Sequence, residues 1–177
     1  MPPDVEASDP VPLLKALAYG AVDFVLIGGV AGGSYGSAFG TFDVDIAYAR
    51  DRPNLERLAD VLRELGAELR GAPRGPPFRL DAKTLEAGAN FTFSTSLGVL
   101  DILGDPAGAP PYPRLKGDGT RITLSDTEVV VASLDHLIAM KEAAGRPKDK
   151  LMATEYRVLS DELRAPRRPP AGQEPRA

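Results

Sequence analysis

The feature that most constrains the fold is the segment 42–49 (FDVDIAYA), in which apolar and acidic side chains alternate. Alternation with a period of two predicts a β-strand with its apolar side chains facing a core. Asp43 and Asp45 then lie together on the opposite face, about 7 Å apart along the strand. The chain is therefore expected to form a sheet that is buried on one face and carries two carboxylates on the other.

A second strand is predicted at residues 22–27 (VDFVLI), where an apolar run stops at Gly28 and Gly29. Paired glycines after a buried strand are typical of a tight turn, and a short helix is predicted to follow over 30–35. Backbone N–H groups exposed in such a turn can bind phosphate. Two carboxylates and a glycine turn near one another indicate a metal and phosphate site.

The remaining elements are assigned from apolar spacing and capping residues. Residues 78–87 fit either a strand or a short helix, and 71–77 and 105–119 are predicted loops. Helices are predicted at 11–18, 54–65, 133–145 and 150–163, and strands at 90–95, 98–103, 121–124 and 128–132, the first two of these forming a hairpin.

This order predicts a layered α/β (α+β) fold with a mixed β-sheet and helices packed on it. Residues 1–164 are expected to form a single domain, and the Pro/Arg-rich residues 165–177 a disordered tail. The net charge of −4 disfavours a broad basic surface for nucleic acid, although a small basic groove is compatible with it.

Composition excludes several classes of site and partner. The chain has no cysteine and one histidine, which excludes disulfides, thiolate zinc sites, a catalytic cysteine and a histidine metal cluster. His136 is expected to be structural or exposed. No basic residue precedes an apolar run at the start, so a cytoplasmic protein is expected. The uncharged stretch 24–42 is too rich in glycine for a membrane helix, and no membrane partner is expected.

Asp101, within the apolar run 99–103 (VLDIL), is the candidate third carboxylate, because an unpaired buried acid is costly without a function. Three carboxylates beside a phosphate-binding turn suit nucleotidyl or phosphoryl transfer with one or two Mg²⁺ ions and a nucleoside triphosphate (NTP) substrate. Neither a P-loop nor a Gly-x-Gly-x-x-Gly motif is present.

Residues 24–29 (FVLIGG), followed after thirteen residues by 43–46 (DVDI), resemble the signature of the DNA polymerase β-like nucleotidyltransferase superfamily. Five segments in order, namely 28–31, 41–46, 90–92, 100–103 and 137–149, are similar to the small bacterial nucleotidyltransferases grouped with AbiEii abortive-infection toxins. The resemblance covers residues 22–159.

The resemblance implies a role for each matching residue. Asp43, Asp45 and Asp101 would bind metal, with Asp101 also activating the acceptor hydroxyl. The triphosphate would contact Gly28 and Gly29, and Thr41 lies in the matching segment before the acids. Lys141 matches the late lysine that neutralises phosphate charge and acts in catalysis, Asp149 matches the late acid, and Arg146 and Lys148 add positive charge. The loop 37–41 departs from the family pattern because it lacks a basic residue.

The implied activity is transfer of a nucleoside monophosphate (NMP) from an NTP such as ATP to an acceptor hydroxyl with Mg²⁺. The acceptor implied by the AbiEii resemblance is RNA, for example a tRNA 3′ end, in a toxin–antitoxin setting with a cognate antitoxin as partner. Open alternatives are a small aminoglycoside-type acceptor, a protein hydroxyl, or a nucleotide-binding module without turnover. Structural explanations also remain open: solvent-facing acids, glycines that only close a turn, a lysine along a helix edge and Asp149 as a helix cap.

Overall fold

The computed structural model describes residues 9–41, 43–71 and 78–165. Phe42, most of the predicted loop at 71–77 and nearly all of the predicted tail at 165–177 lie outside the described residues. The elements, in chain order, are α1 (Val11–Tyr19), β1 (Phe24–Ile27), α2 (Gly28–Ser34), β2 (Asp43–Tyr48), α3 (Arg52–Glu64), β3 (Glu68–Leu69), α4 (Ala82–Ala87), β4 (Asn90–Thr95), β5 (Gly98–Leu103), α5 (Tyr112–Gly117), β6 (Thr120–Leu124), β7 (Thr127–Val131), α6 (Leu134–Ala144) and α7 (Pro147–Arg164).

The strands form one mixed sheet in the order β3-β4-β5-β2-β1-β7-β6. The strand β2 lies in the middle, antiparallel to β1 and parallel to β5, and β7 is parallel to β1. The remaining neighbours pair antiparallel. The predicted mixed sheet with packed helices is therefore confirmed, and β2 with its two acids occupies a central position.

The alternation predicted for β2 is confirmed by burial over residues 43–46, whereas Ala47 and Tyr48 at the end of the strand are both buried. Val44 and Ile46 are buried, whereas Asp43 and Asp45 are half-buried on the other face. On the buried side, the neighbouring strands contribute Leu100, Ile102 and Phe93 to the same core. The acidic side of β2 contacts α2, which in turn packs against α6. Thus one face of the sheet packs into the hydrophobic core, and the other carries the acids.

The glycine pair does not form a separate turn. Instead β1 ends at Ile27 and α2 begins directly at Gly28, which has a φ of +70°. Glycine adopts this left-handed conformation without the steric cost that a Cβ atom adds. The predicted short helix at 30–35 therefore starts two residues earlier than expected, with both glycines in its first turn.

Several predicted boundaries needed correction. Residues 105–119 are not all loop: α5 forms within them, because a proline is tolerated in a first helical turn and Leu115 is buried. The ambiguous segment 78–87 resolves into α4, capped by Asp81. The short strand β3 was not predicted. At the other end, Ser133 caps α6 and the left-handed Gly145 ends it, both as predicted.

Candidate active site

The acids of β2 and β5 lie side by side because the two strands pair in parallel. Asp45 is the register partner of Asp101, and Asp101 is in turn the partner of Thr92 on β4. Register partners present their side chains on the same face of a sheet. A polar row therefore crosses three adjacent strands, from Thr92 on β4 through Asp101 on β5 to Asp45 on β2.

Gly28 and Gly29 bring the backbone of α2 against this row. A Cβ atom on Gly28 would lie 2.1 Å from Oδ2 of Asp45, and a Cβ on Gly29 would lie 2.7 Å from Cβ of Thr41. Neither position has room for any side chain. The glycine pair thus does more than end a strand, because it allows the backbone to touch Asp45 and Thr41.

The carboxyl groups of Asp45 and Asp101 lie beside each other on the sheet. Burial and the adjacent Asp101 raise the pKa of Asp45 to about 7, although Lys141 opposes that rise. Oδ1 of Asp101 is buried, and none of the described residues donates a hydrogen bond to it. A buried acceptor without a donor costs free energy unless a cation or a ligand satisfies it.

The carboxylate oxygens of these acids fit a divalent cation that is bound together with a substrate. Among the described residues, no group of three or more acidic or histidine side chains is arranged closely enough to hold a metal ion by itself. Mg²⁺, however, usually takes one or two protein carboxylates and completes its shell with waters and substrate phosphates. Asp45 and Asp101 supply such a pair, and Asp43 lines the same cleft.

Positively charged side chains face the acids from α6, α7 and their junction. Asp149 is buried and accepts hydrogen bonds from Nζ of Lys141 at 3.1 Å and from Nε of Arg146 at 2.6 Å. Burial alone would raise the pKa of Asp149, but these two bonds hold it below its usual value. Asp149 does not cap α7, since that helix has no side-chain cap. Its contacts instead orient the two cations.

These groups line one cavity of about 360 Å³, here termed the central cleft. It contains all the predicted site residues except Gly28, which lies immediately behind Asp45. Asp43, Asp45 and Asp101 lie on the sheet side, and Lys141, Arg146, Lys148 and Asp149 lie on the helix side. The lining residues are Gly29, Gly40, Thr41, Asp43, Asp45, Asp101, Lys141, Arg146, Lys148, Asp149 and Met152.

Two further cavities adjoin the central cleft and share Asp45 and Arg146 with it. The first, termed the β4 lobe, measures about 340 Å³ and is lined by Asn90, Phe91 and Thr92 beside Asp101. These β4 residues were not predicted as site residues. The hairpin prediction contained the signal, because a turn at 96–97 pairs Thr92 with Asp101.

His136 lies outside these cavities, in agreement with its predicted structural role. Its Nε2 is 2.9 Å from Oδ2 of Asp118. Its backbone N–H donates a hydrogen bond to Oγ of Ser133, which caps α6. None of the helices in the described part of the chain is long and apolar enough to cross a bilayer.

Binding of Mg²⁺ is expected to strengthen with pH, because Mg²⁺ and a proton compete for Asp45. With a pKa of about 7 for this carboxyl, the apparent Kd for Mg²⁺ should fall about tenfold between pH 6 and pH 8. Without metal, this same group should lower stability as pH rises from about 4 to 7, since the folded state holds the proton more tightly. Thermal shifts with Mg²⁺ or EDTA at several pH values would measure both effects. A Kd for Mg²⁺ that does not change with pH would contradict this account of Asp45.

Comparison with solved structures identifies the class of fold. The lincosamide antibiotic adenylyltransferase LnuA, bound to lincomycin, matches with a TM-score of 0.56 and 13% identity over 84% of this chain and 94% of its own. The antibiotic-resistance factor ANT(2″)-Ia, in complex with adenylyl-2″-tobramycin, matches with a TM-score of 0.54 and 16% identity over 86% and 88%.

An antigenic nucleotidyltransferase-like protein from Paracoccidioides brasiliensis matches with a TM-score of 0.54 and 14% identity over 90% of this chain and 76% of its own. The chain therefore has a nucleotidyltransferase fold. No family model and no curated protein sequence matches the chain.

Proposed function

We propose that this protein is a Mg²⁺-dependent nucleotidyltransferase that moves an NMP from an NTP to an acceptor hydroxyl and releases pyrophosphate. The observation that carries the proposal is the central cleft, in which a row of carboxylates on the sheet faces basic side chains from α6, α7 and their junction. A triphosphate with bound cations matches both sides of such a cleft. The nucleotidyltransferase fold of the structural neighbours supports the same activity.

The roles follow from position. Asp45 and Asp101, with Asp43 beside them, would hold Mg²⁺, which when bound would withdraw charge from the phosphate oxygens. Lys141 is oriented by Asp149, and with Lys148 and Arg146 it would bind the triphosphate. Gly28 and Gly29 would let the triphosphate approach the backbone of α2, with Thr41 against Gly29.

Asp101 is the carboxylate best placed to receive the acceptor's proton, because it lines both the central cleft and the β4 lobe and is the register partner of Thr92 on β4. The acceptor oxygen would then bond to the α-phosphorus while the bond to the leaving pyrophosphate breaks. Asp101 would take up the hydroxyl proton in that step. The β4 lobe is accordingly proposed as the side from which the acceptor enters.

The charge of the β4 lobe favours a small hydroxylated acceptor over an RNA. Among its described lining residues, Arg146 is the single cation, against the carboxylates of Asp45 and Asp101. An RNA strand needs several Lys or Arg side chains along its phosphates. A tRNA 3′ end is the second candidate acceptor, and a cognate antitoxin would then be a partner, as for an AbiEii-type toxin. This candidate is supported by the five sequence segments that resemble that group in the same order.

The test is to incubate the protein with Mg²⁺ and each α-labelled NTP in turn, with either a panel of hydroxylated small molecules or total bacterial RNA as the acceptor. We expect label to be transferred to one of the two. The Asp43→Asn/Asp45→Asn double variant serves as the control and should transfer none. Label on a small molecule supports the first acceptor class, and label on RNA the second. NTP binding without transfer or pyrophosphate release in all conditions would instead indicate a binding module without turnover.

A further inference from the structure

The third cavity around Asp45, termed the apolar lobe, has about 170 Å³ and differs in chemistry from the other two. It lies between the end of β1, the segment after β5 and the inner side of α6. Its walls away from the acids come from aliphatic side chains: Leu103, Pro106, Ala107, Leu137, Met140 and Ala144. An apolar cavity of about 150 Å³ takes up a benzene ring, so this lobe has room for one six-membered ring.

The apolar lobe opens onto the same polar groups that line the central cleft. Asp45, Lys141, Arg146 and Asp149 line both cavities, so a ligand with its phosphates in the central cleft can extend a ring into the lobe. Burial of an aromatic ring against aliphatic side chains is favourable and adds affinity. The β4 lobe is the less apolar of the two, because polar Asn90 and Thr92 line it together with Phe91, and it is the side proposed for the acceptor.

Selectivity among bases requires donors and acceptors at the base edge. The four charged residues that line the lobe are the ones it shares with the central cleft, where the triphosphate would engage them. Among the other described lining residues, the one polar atom on a side chain is the thioether sulfur of Met140, a weak acceptor. A hydrophobic pocket discriminates poorly between ligands of similar shape, whereas a hydrogen-bonding pocket discriminates strongly. The lobe therefore recognises the presence of a ring rather than its pattern of polar groups.

Building on the proposed function, we propose that the apolar lobe binds the nucleobase of the donor NTP by apolar contact and that the protein uses all four NTPs. The base would rest against Met140 and Ala144, while the triphosphate lies between the acids and Lys141. The site would thus select its donor by the triphosphate and the metal rather than by the identity of the base.

Partial filling of the lobe tests this proposal. In Ala144→Leu, the larger side chain would occupy space at the end of α6, before the cap at Gly145. The matched control is Ala87→Leu, an exposed alanine that likewise ends a helix before a glycine cap and lines none of the three cavities. Calorimetry on the full chain with Mg²⁺ would compare ATP, GTP, CTP, UTP and inorganic tripolyphosphate.

The wild-type protein is expected to bind ATP and GTP with Kd values within about tenfold of each other, and CTP and UTP likewise, because within each pair the ring size is the same and only the polar groups differ. Ala144→Leu should weaken all four by about fivefold or more while leaving tripolyphosphate unchanged, and Ala87→Leu should alter neither. A preference above tenfold for one base within either pair, no effect of Ala144→Leu, or equal weakening of tripolyphosphate would overturn the proposal.

Failure of the proposed nucleotidyl transfer and failure of the proposed base site would give different results. NTP binding with this pattern but no nucleotidyl transfer would contradict the proposed function and still support the apolar lobe as the base site. Transfer from one NTP alone would support the function and overturn the lack of base selectivity. Absence of NTP binding by the wild-type protein would overturn both.

Discussion

Replacing Asp45 with asparagine is expected to lower kcat/KM for nucleotidyl transfer by roughly a thousandfold or more, the scale expected on loss of a group that stabilises transition-state charge. The same change should raise stability in EDTA at pH 8, because it removes a half-buried carboxylate beside Asp101. For a chain of this size, each 1 kcal/mol added to the free energy of unfolding raises Tm by about 2–4 °C. Loss of activity with a gain of stability separates a functional acid from a structural one.

The matched control is Asp60→Asn, on the exposed side of α3, where the carboxylate pairs with Arg63 in solvent. An exposed ion pair of this kind contributes about 0–1 kcal/mol, so activity and Tm should change little. If Asp45→Asn retained wild-type transfer, the assignment of the metal site would be wrong. If it instead lost both activity and folding, Asp45 would be a structural residue that the sheet requires.

Gly28→Ala is expected to reduce kcat/KM by at least about a hundredfold, the effect of displacing a reactive group by about 1 Å. The added Cβ would lie 2.1 Å from Oδ2 of Asp45, so the carboxylate or the start of α2 must move. The φ of +70° at this residue adds about 1–2 kcal/mol of strain for a residue with a Cβ. Activity assays and thermal melts with and without Mg²⁺ would measure both effects.

The same helix supplies the control, because nothing lies within 4 Å of a Cβ built on Gly33. Gly33→Ala should keep full activity and raise stability by about 0.5–1 kcal/mol, as expected for alanine replacing glycine within a helix. Equal losses from both substitutions would show that α2 tolerates no alanine at all. The contact between Gly28 and Asp45 would then not explain the requirement for glycine.

The strongest sequence predictions concerned local patterns. The alternation in β2 predicted which side chains face the core, and the structure confirms it, because strand geometry sends successive side chains to opposite faces. Ser133 and Gly145 predicted the ends of α6 for similarly local reasons of capping. The helix α5 was missed because its stability depends on burial of Leu115, a tertiary contact that its prolines and glycines obscured.

The candidate site was predictable in its residue types but not in its pairings. The central cleft contains the predicted residues except Gly28. The sequence did not predict that Asn90–Thr92 line the β4 lobe, nor that the apolar lobe exists. Cavities arise where separate elements fail to fill space between them. No spacing rule within one element describes such a gap.

Two acids on one strand face, with glycines before them, follow from local sequence alone, because φ, ψ and side-chain direction are properties of neighbouring residues. The position of Asp45 beside Asp101, and the contacts of Asp149 with Lys141 and Arg146, depend on how distant elements pack. Strand register and helix packing are fixed by burial summed over the whole core, not by any one segment. The chemistry of the site depends on those distant pairings, since charges act through distance in space and not through separation in sequence.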